Sequence, residues 1–271
     1  MNSILKAVVF DWAGTMIDFG CMAPVEALID AFNKHNIFIT AHDAREDMGR
    51  AKRDHVQAIL NKPSIAARWL EVKGVDPDPC AIDQIYRDLE PLMVDAASRS
   101  SKLIDGAVEL VDKLRTQGIK IGSGTGYTRE MMAAIIPHAA SQGYVPDVIV
   151  CADETKSGRP APLMTWKALI ELDAWPAHCC VKVDDAVVGI TEGRLAGCWT
   201  IGLAASGNGV GLTAEQLSSL DPELRQQKID KSASSLKSAG ADYVVDTIAD
   251  VAGVLRDIEQ KIKMGARPNY P

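Results

Sequence analysis

The stretch AVVFDWAGT, residues 7–15, places four apolar residues directly before a carboxylate and a glycine turn. A short apolar run of this kind, with Val8, Val9 and Phe10 in it, predicts a fully buried strand. Asp11 then stands at the carboxyl end of that strand, where the tight turn at Gly14 projects it into a cleft as a nucleophile or a metal ligand. One D-x-x-G-T carries little weight, because Asp and Gly also mark ordinary turns. Its weight depends on what the rest of the chain sets beside it.

Further along, short apolar runs recur at 119–122 (IKIG), 148–151 (VIVC), 180–183 (CVKV), 199–201 (WTI) and 243–245 (YVV). Between them, 107–116, 128–140, 162–172, 188–195 and 248–263 have helical spacing and length. Strands alternating with helices of this size predict βαβ units and a buried parallel sheet, to which 7–10 adds another strand. Between about Cys21 and Ser100 the rhythm changes. Segments around 25–34, 41–47, 52–60, 65–73 and 82–97 read as helices, with Pro63-Ser64 and Pro77-Asp78-Pro79 marking helix starts, and nothing there reads as a strand. The expected architecture is an α/β Rossmann-like parallel sheet core (residues 1–20 and 100–271) carrying an inserted α-helical cap (21–99). Ligands of open parallel sheets bind at the carboxyl edge, so the insert is expected to act as a lid. The stretch 206–240 reads as a Gly-rich surface loop with a solvated helix pair, a share in the lid rim being the alternative.

Of the 271 residues, 47% are hydrophobic and 24% charged, proportions that exclude a disordered or fibrous chain. A formal net charge of -7 argues against general nucleic-acid or anionic-membrane binding, while leaving room for a local basic pocket. No apolar run reaches the ~18 residues of a membrane span, and Met1 leads straight into the first strand without an export signal, so the chain reads as cytoplasmic. The six cysteines form no C-x-x-C pair and read as buried free thiols, Cys21 standing out by its closeness to the first motif.

Three further features give Asp11 its weight. The second strand ends in Gly122-Ser123-Gly124-Thr125-Gly126, whose hydroxyl and N–H groups suit phosphate oxygens ahead of a helix N-terminus. Lys156-Ser157-Gly158-Arg159-Pro160 follows the third strand and offers a fixed cation. The fourth strand runs into Asp184-Asp185, an acidic pair suited to Mg2+.

Nucleophile, hydroxyl, cation and carboxylate on successive strand ends resemble the haloacid dehalogenase-like hydrolase superfamily over the whole chain, with its four motifs at Asp11, Thr125, Arg159 and Asp185. The resemblance implies that Asp11 attacks phosphorus to give an aspartyl-phosphate, with Mg2+, Thr125 and Arg159 neutralising the anionic group as it transfers. Ala13 is the departure: phosphatases of this superfamily carry there a second Asp that protonates the leaving alkoxide. A leaving carbanion, released when a C–P bond breaks, needs an electron sink, and a protonated imine on a lysine is one.

The run DMGRAKRDH, residues 47–55, puts Met48, Lys52 and His55 on one helical face. A lysine attacks an aldehyde only when neutral, and lowering its pKa from ~10.4 to roughly 8 takes about 3 kcal/mol. Burial and the flanking Arg50 and Arg53 are the expected sources. With Ala13 and Lys52 together, the strings VVFDWAGTMIDFG, DMGRAKRDHV, GTGYTREMM, GRPAP and the tail GARPNYP resemble the phosphonatase family of that superfamily, which hydrolyses phosphonoacetaldehyde to acetaldehyde and phosphate. By that resemblance Asp11 is the nucleophile and Lys52 the Schiff-base residue. The Ala13 carbonyl joins Asp11 and Asp185 as ligands of Mg2+, and Thr125 and Arg159 bind the phosphonyl oxygens. Met48, His55, Tyr127 and Cys21 line the pocket, and a homodimer forms through the caps. Motif four departs from the usual Gly-Asp with a further acid four residues on, having Asp184-Asp185 and Gly189, which leaves the part of Asp184 open. The alternatives are an Mg-dependent phosphate-ester phosphatase or phosphomutase, a true dehalogenase, and a catalytically silent metal-binding scaffold.

Overall fold

The computed structural model describes residues 3–269; Tyr270 and Pro271, which end the matched tail string, lie outside them. Six strands form one parallel sheet: β1 (Ala7–Phe10), β2 (Lys120–Thr125), β3 (Val148–Cys151), β4 (Cys180–Asp184), β5 (Trp199–Leu203) and β6 (Tyr243–Val245), in the order β3-β2-β1-β4-β5-β6. The chain leaves β1 towards β2 and β3 and then returns to β4 on the other side, so the strand order reverses at β1. In open α/β sheets the crevice at such a reversal is where ligands sit. The register is level there, with Phe10 opposite both Ser123 and Val183, which brings the ends of β1, β2 and β4 to one place.

Five helices lie between β1 and the next core element: α1 (Ala23–Lys34), α2 (Ala41–Arg45), α3 (Lys52–Leu60), α4 (Pro63–Lys73) and α5 (Pro79–Arg99). Their starts follow from local chemistry. Pro63 and Pro79 sit where no N–H is needed, and the Asp78 carboxylate accepts the Ala81 N–H at 2.8 Å. Gly74, in the left-handed conformation, ends α4. Helix α5 runs along α1 and α3 and also against a core helix, α7, in the series α6 (Ala107–Thr116), α7 (Arg129–Ser141), α8 (Leu163–Glu171), α9 (Val187–Ala196), α10 (Ala214–Ser218), α11 (Pro222–Ser238) and α12 (Val251–Lys263). Leu28, Phe32, Ile59, Leu89 and Met93 of the insert are buried in the same apolar cluster as Val8 and Phe10 of β1. Truncating one of them, for example Leu89→Ala, removes about 2–5 kcal/mol of packing.

Three sequence expectations are corrected here. β2 continues through Thr125 instead of stopping at 122, because Gly122 to Thr125 pair with Val148 to Cys151 and Ser123 with Phe10. The strand end expected at 122–126 therefore lies within β2 as far as Thr125. The helix expected from 248 begins as a 3-10 turn, Ile248–Asp250, before α12. Cys80 is exposed, unlike the other five free thiols.

Candidate active site

The floor of the site is built at the ends of β1 and β4. The Asp11 N–H donates to the Val183 carbonyl at 3.0 Å, tying the first residue after β1 to its neighbour strand. The turn that follows demands glycine: Gly14 has φ +81°, and a Cβ there would lie 2.3 Å from Oδ2 of Asp185. Asp185 accepts the Asn208 N–H at 2.7 Å and the Thr15 hydroxyl at 3.4 Å. Ligand oxygens of Asp11, Asp184 and Asp185, all buried, lie within 4.8 Å of one another.

Arg159 organises this floor. Its side chain is almost wholly buried and reaches Asp11 Oδ1 (2.7 Å), Glu192 Oε2 (2.8 Å), the Gly124 carbonyl (3.0 Å) and Asp184 Oδ2 (3.5 Å). Lys182, projecting from the middle of β4, lies 2.9 Å from Asp184 and 3.7 Å from Glu192. Four buried carboxylates thus face two buried cations, an excess of two negative charges that a divalent ion would cancel. The titration behaviour has the same cause. Burial, then the charge of Asp184, pushes Asp11 up to about 6 against the pull of Arg159 and Lys182. Burial, then Asp11 and Asp184, holds Asp185 well above the carboxylate range. Against its own burial, Lys182 and Arg159 keep Asp184 below that range. An all-oxygen donor set that resists full ionisation without a cation fits Mg2+.

The roof belongs to the insert. Lys52, the first residue of α3, is only 3% exposed, so the burial expected of it is present. Its amine meets the Met48 sulfur at 3.9 Å and the Tyr127 ring at 5.1 Å from the centroid. No carboxylate lies within ion-pair distance of it among the described residues. Burial lowers its pKa to about 8; the nearby Arg159 adds to this, and Asp11 opposes it. Arg50 and Arg53, expected to crowd it, turn away to Asp47 and Asp83.

Floor and roof face each other across a small, partly open cavity lined among others by Asp11, Ala13, Cys21, Met48, Lys52, Thr125, Tyr127, Arg159 and Asp185. Thr125 ends β2, and its hydroxyl accepts the Tyr127 N–H at 3.2 Å. Burial pushes both the Cys21 thiol and the Tyr127 phenol well up, so both stay neutral. Of the nominated residues, His55 does not reach the cavity wall. It is buried with Val56, Ile59 and Leu60 of α3, and burial, then the charge of Lys52, holds its pKa well down, so it stays neutral. Lys156 is exposed, whereas Arg159 is buried against Asp11.

Some contributors carry no obvious mark in the sequence. Ser123 is one: its buried hydroxyl accepts the Trp12 indole N–H at 2.9 Å inside the core. Glu192 reads as one residue of an amphipathic helix, and Lys182 as part of an apolar strand; a lysine inside such a strand was the available signal. The loop after β5, expected at the surface, enters the site. The Ser206 hydroxyl donates to the Gly14 carbonyl at 2.9 Å, and Asn208 holds Asp185.

A model of the haloacid dehalogenase-like hydrolase family matches residues 5–197. A phosphonoacetaldehyde hydrolase from Paraburkholderia phytofirmans is 42% identical over 264 residues, covering 97% of this chain and 99% of that protein. One from Vibrio cholerae is 42% identical over 270 residues, covering 99% of this chain and 100% of the relative. A crystal structure of a phosphonoacetaldehyde hydrolase-like protein from Oleispira antarctica superposes with a TM-score of 0.96 at 38% identity, over 99% of this chain and 98% of that one.

Proposed function

The chain belongs to the haloacid dehalogenase-like hydrolases and, among them, to the phosphonoacetaldehyde hydrolase family, and from that premise we propose that it hydrolyses phosphonoacetaldehyde to acetaldehyde and phosphate through Lys52 and Asp11. The observation that carries this reading is a buried, carboxylate-free lysine placed across a small cavity from a carboxylate that Arg159 orients.

In this reading the neutral Lys52 amine attacks the aldehyde carbon, water leaves, and a protonated imine forms. An Asp11 oxygen attacks phosphorus, the C–P bond breaks, and its electron pair enters the iminium to give an enamine. One water then cleaves the aspartyl-phosphate to free phosphate and Asp11. The enamine takes a proton on carbon, and a second water releases acetaldehyde and the amine. One water is consumed overall. Asp11, Asp185 and the Ala13 carbonyl are the groups that would hold Mg2+, which when bound neutralises charge on the phosphonyl oxygens. Arg159 and Thr125 fix those oxygens, and their preorganisation is where much of the rate enhancement resides. Asp184 is assigned to orienting Arg159 and Lys182, since its carboxylate is already committed to them and to the Ala186 N–H at 3.0 Å.

Met48, Tyr127 and Cys21 give Lys52 its uncharged surroundings. Ala13 speaks against a phosphate-ester phosphatase or phosphomutase, because no side chain there protonates a leaving alkoxide. Residues 21–99 form the cap in this proposal, with 1–20 and 100–271 as the catalytic core. The exposed Phe38, Leu70, Val72 and Val75 on the insert support pairing of two caps in a homodimer. No helix among the described residues is long and apolar enough to cross a membrane, and a cytoplasmic location is proposed on the grounds of the sequence.

The test is phosphate release from phosphonoacetaldehyde with Mg2+, by the wild type and by Lys52→Arg, alongside borohydride quenching and peptide mass analysis. A two-carbon adduct on Lys52 in the wild type, and an inactive folded variant, are expected. Full activity in Lys52→Arg defeats the reading.

A further inference from the structure

Helix α2 of the insert ends in Arg45, whose guanidinium is spread over the hinge and the core at once. It donates to the carbonyls of Gly20 (2.9 Å) and Cys21 (3.4 Å), where the chain enters the insert, and to Gly211 (3.3 Å) in the loop after β5. It also donates to the Asn208 side-chain carbonyl at 3.0 Å, and the Asn208 amide returns a hydrogen bond to the Arg45 carbonyl at 2.9 Å. This reciprocal pair is the more specific contact, because both side-chain and backbone groups of Arg45 must be in place to make it.

Asn208 is also the residue whose N–H holds Asp185 Oδ2 at 2.7 Å. The loop is pressed onto that carboxylate: a Cβ on Gly207 would lie 2.4 Å from the Asp185 Cβ, and one on Gly211 would lie 2.7 Å from the Arg45 guanidinium. Each glycine leaves room that any side chain would fill. The path from the insert to the cation-binding carboxylate is therefore Arg45, Asn208, Asp185, with a single residue making both links.

We propose that the Arg45–Asn208 pair couples closure of the helical insert to cation binding at Asp185, the two acting as positioning residues. When the insert closes, Arg45 fixes Asn208, and Asn208 presents its N–H so that Asp185 turns its other oxygen towards the cation. Linkage makes the effect reciprocal: the cation favours the closed insert by the same factor as closure tightens the cation. The roof carrying Lys52 is then in place when the floor is charged, and bulk water is kept from the imine.

This inference rests on the cation reading of the floor, and calorimetric titration of Mg2+ into the full chain without substrate separates the two. Asn208→Ala keeps the N–H and removes only the clasp; Arg45→Lys keeps the charge and removes the fork. Each is expected to weaken Mg2+ about ten-fold, the middle of the usual coupling range, and the double variant no further, since both break one link. Hydrogen exchange at residues 20–22 should slow on adding Mg2+ to the wild type and not to either variant. Wild-type uptake of Mg2+ with Asn208→Ala within two-fold of it overturns the coupling alone. A wild type that takes up no Mg2+ overturns the cation reading and the coupling with it. Loss of folding in both variants, read by thermal denaturation in EDTA, also overturns the coupling and leaves the pair as framework.

Discussion

Two lysines are buried in this molecule within reach of the same site, and they are treated in opposite ways. Lys182, fully buried in β4, has Asp184 at 2.9 Å and Glu192 at 3.7 Å. Lys52, 3% exposed in α3, has a thioether and an aromatic face. It also stands in the first turn of its helix, where free N–H groups carry partial positive charge and disfavour an ammonium. Pairing makes one lysine part of an electrostatic floor, and its lack brings the other closer to the neutral amine. Burial alone therefore says nothing about what a lysine does; its partners decide.

The sharpest way to break this contrast is to give both lysines the same substitution. Lys52→Met removes the amine proposed to form the imine but leaves no carboxylate unpaired. Phosphate release is expected to fall by at least ~10⁴, as for other covalent nucleophiles, with the melting temperature unchanged or raised. Lys182→Met leaves Asp184 and Glu192 short of a cation, and stripping one partner from a buried pair costs about 3 kcal/mol or more. For a chain of this size that lowers the melting temperature by roughly 10 °C. Calorimetry of the two variants in EDTA decides; equal melting temperatures would remove the distinction.

A smaller effect tests the floor itself. A Cβ at Gly189 would sit 2.0–2.3 Å from the carboxylate atoms of Asp184, so Asp184 occupies the space that a side chain at 189 would need. Gly189→Asp should cost about 2–3 kcal/mol by overpacking and like charge. The exchange Asp184→Gly/Gly189→Asp should recover more than half of that, since it delivers one carboxylate to the same space from the other position. Melting curves of the single and double variants measure this non-additivity. Additive losses would show that Asp184 is needed at its own position.

The floor and the roof were also unequally legible in the sequence. β1 and β3 run over the residues expected, and Asp11, Thr125, Arg159 and Asp185 follow successive strand ends, because a parallel sheet brings such ends together whatever the loops do. Lys52 was legible only through the departure at Ala13, which raised the need for an electron sink. Glu192, Asn208 and the role of Lys182 were hidden for a physical reason. The partners of Glu192 and Asn208 lie 33 and 23 residues away along the chain, which no local periodicity encodes; Lys182 has its nearer partner, Asp184, two residues on in the same strand, and only its approach to Glu192 is out of local reach. A shared helical face does not say which of its residues reaches the cavity: Met48 and Lys52 line it, and His55 is buried without doing so.

The roof has a pH signature that the floor does not share. With Lys52 lowered to about 8 by burial, the ammonium dominates below that pH, and adduct formation trapped by borohydride should fall about ten-fold per unit there. The stability sign runs the same way. Between about 8 and 10.5 the unfolded lysine holds a proton that the folded one has lost, so stability rises with pH across that window, by about 3 kcal/mol in all. A trapping limb near 10.5 would mean that the amine is solvated.

The smallest expected effect separates burial from crowding as the cause. Arg50 and Arg53 flank Lys52 in sequence, yet each is ion-paired with its own carboxylate, Arg50 with Asp47 at 2.9 Å in a half-buried pair and Arg53 with Asp83 at 2.8 Å at the surface. Their charges are screened by water and by those partners, and exposed pairs contribute at most about 1 kcal/mol even to each other. Arg53→Gln should therefore move the trapping limb by less than ~0.3 unit, which is below half a kcal/mol. A mutation that hydrates the roof should move it more: Met48→Ser brings a hydroxyl and room for water to the amine, restores solvation to the ammonium, and shifts the limb upward by about one unit. If Arg53→Gln moves the limb upward as far as Met48→Ser does, neighbouring charge sets the amine, and the contrast between the two lysines rests on sequence neighbours instead of on what each side chain is packed against.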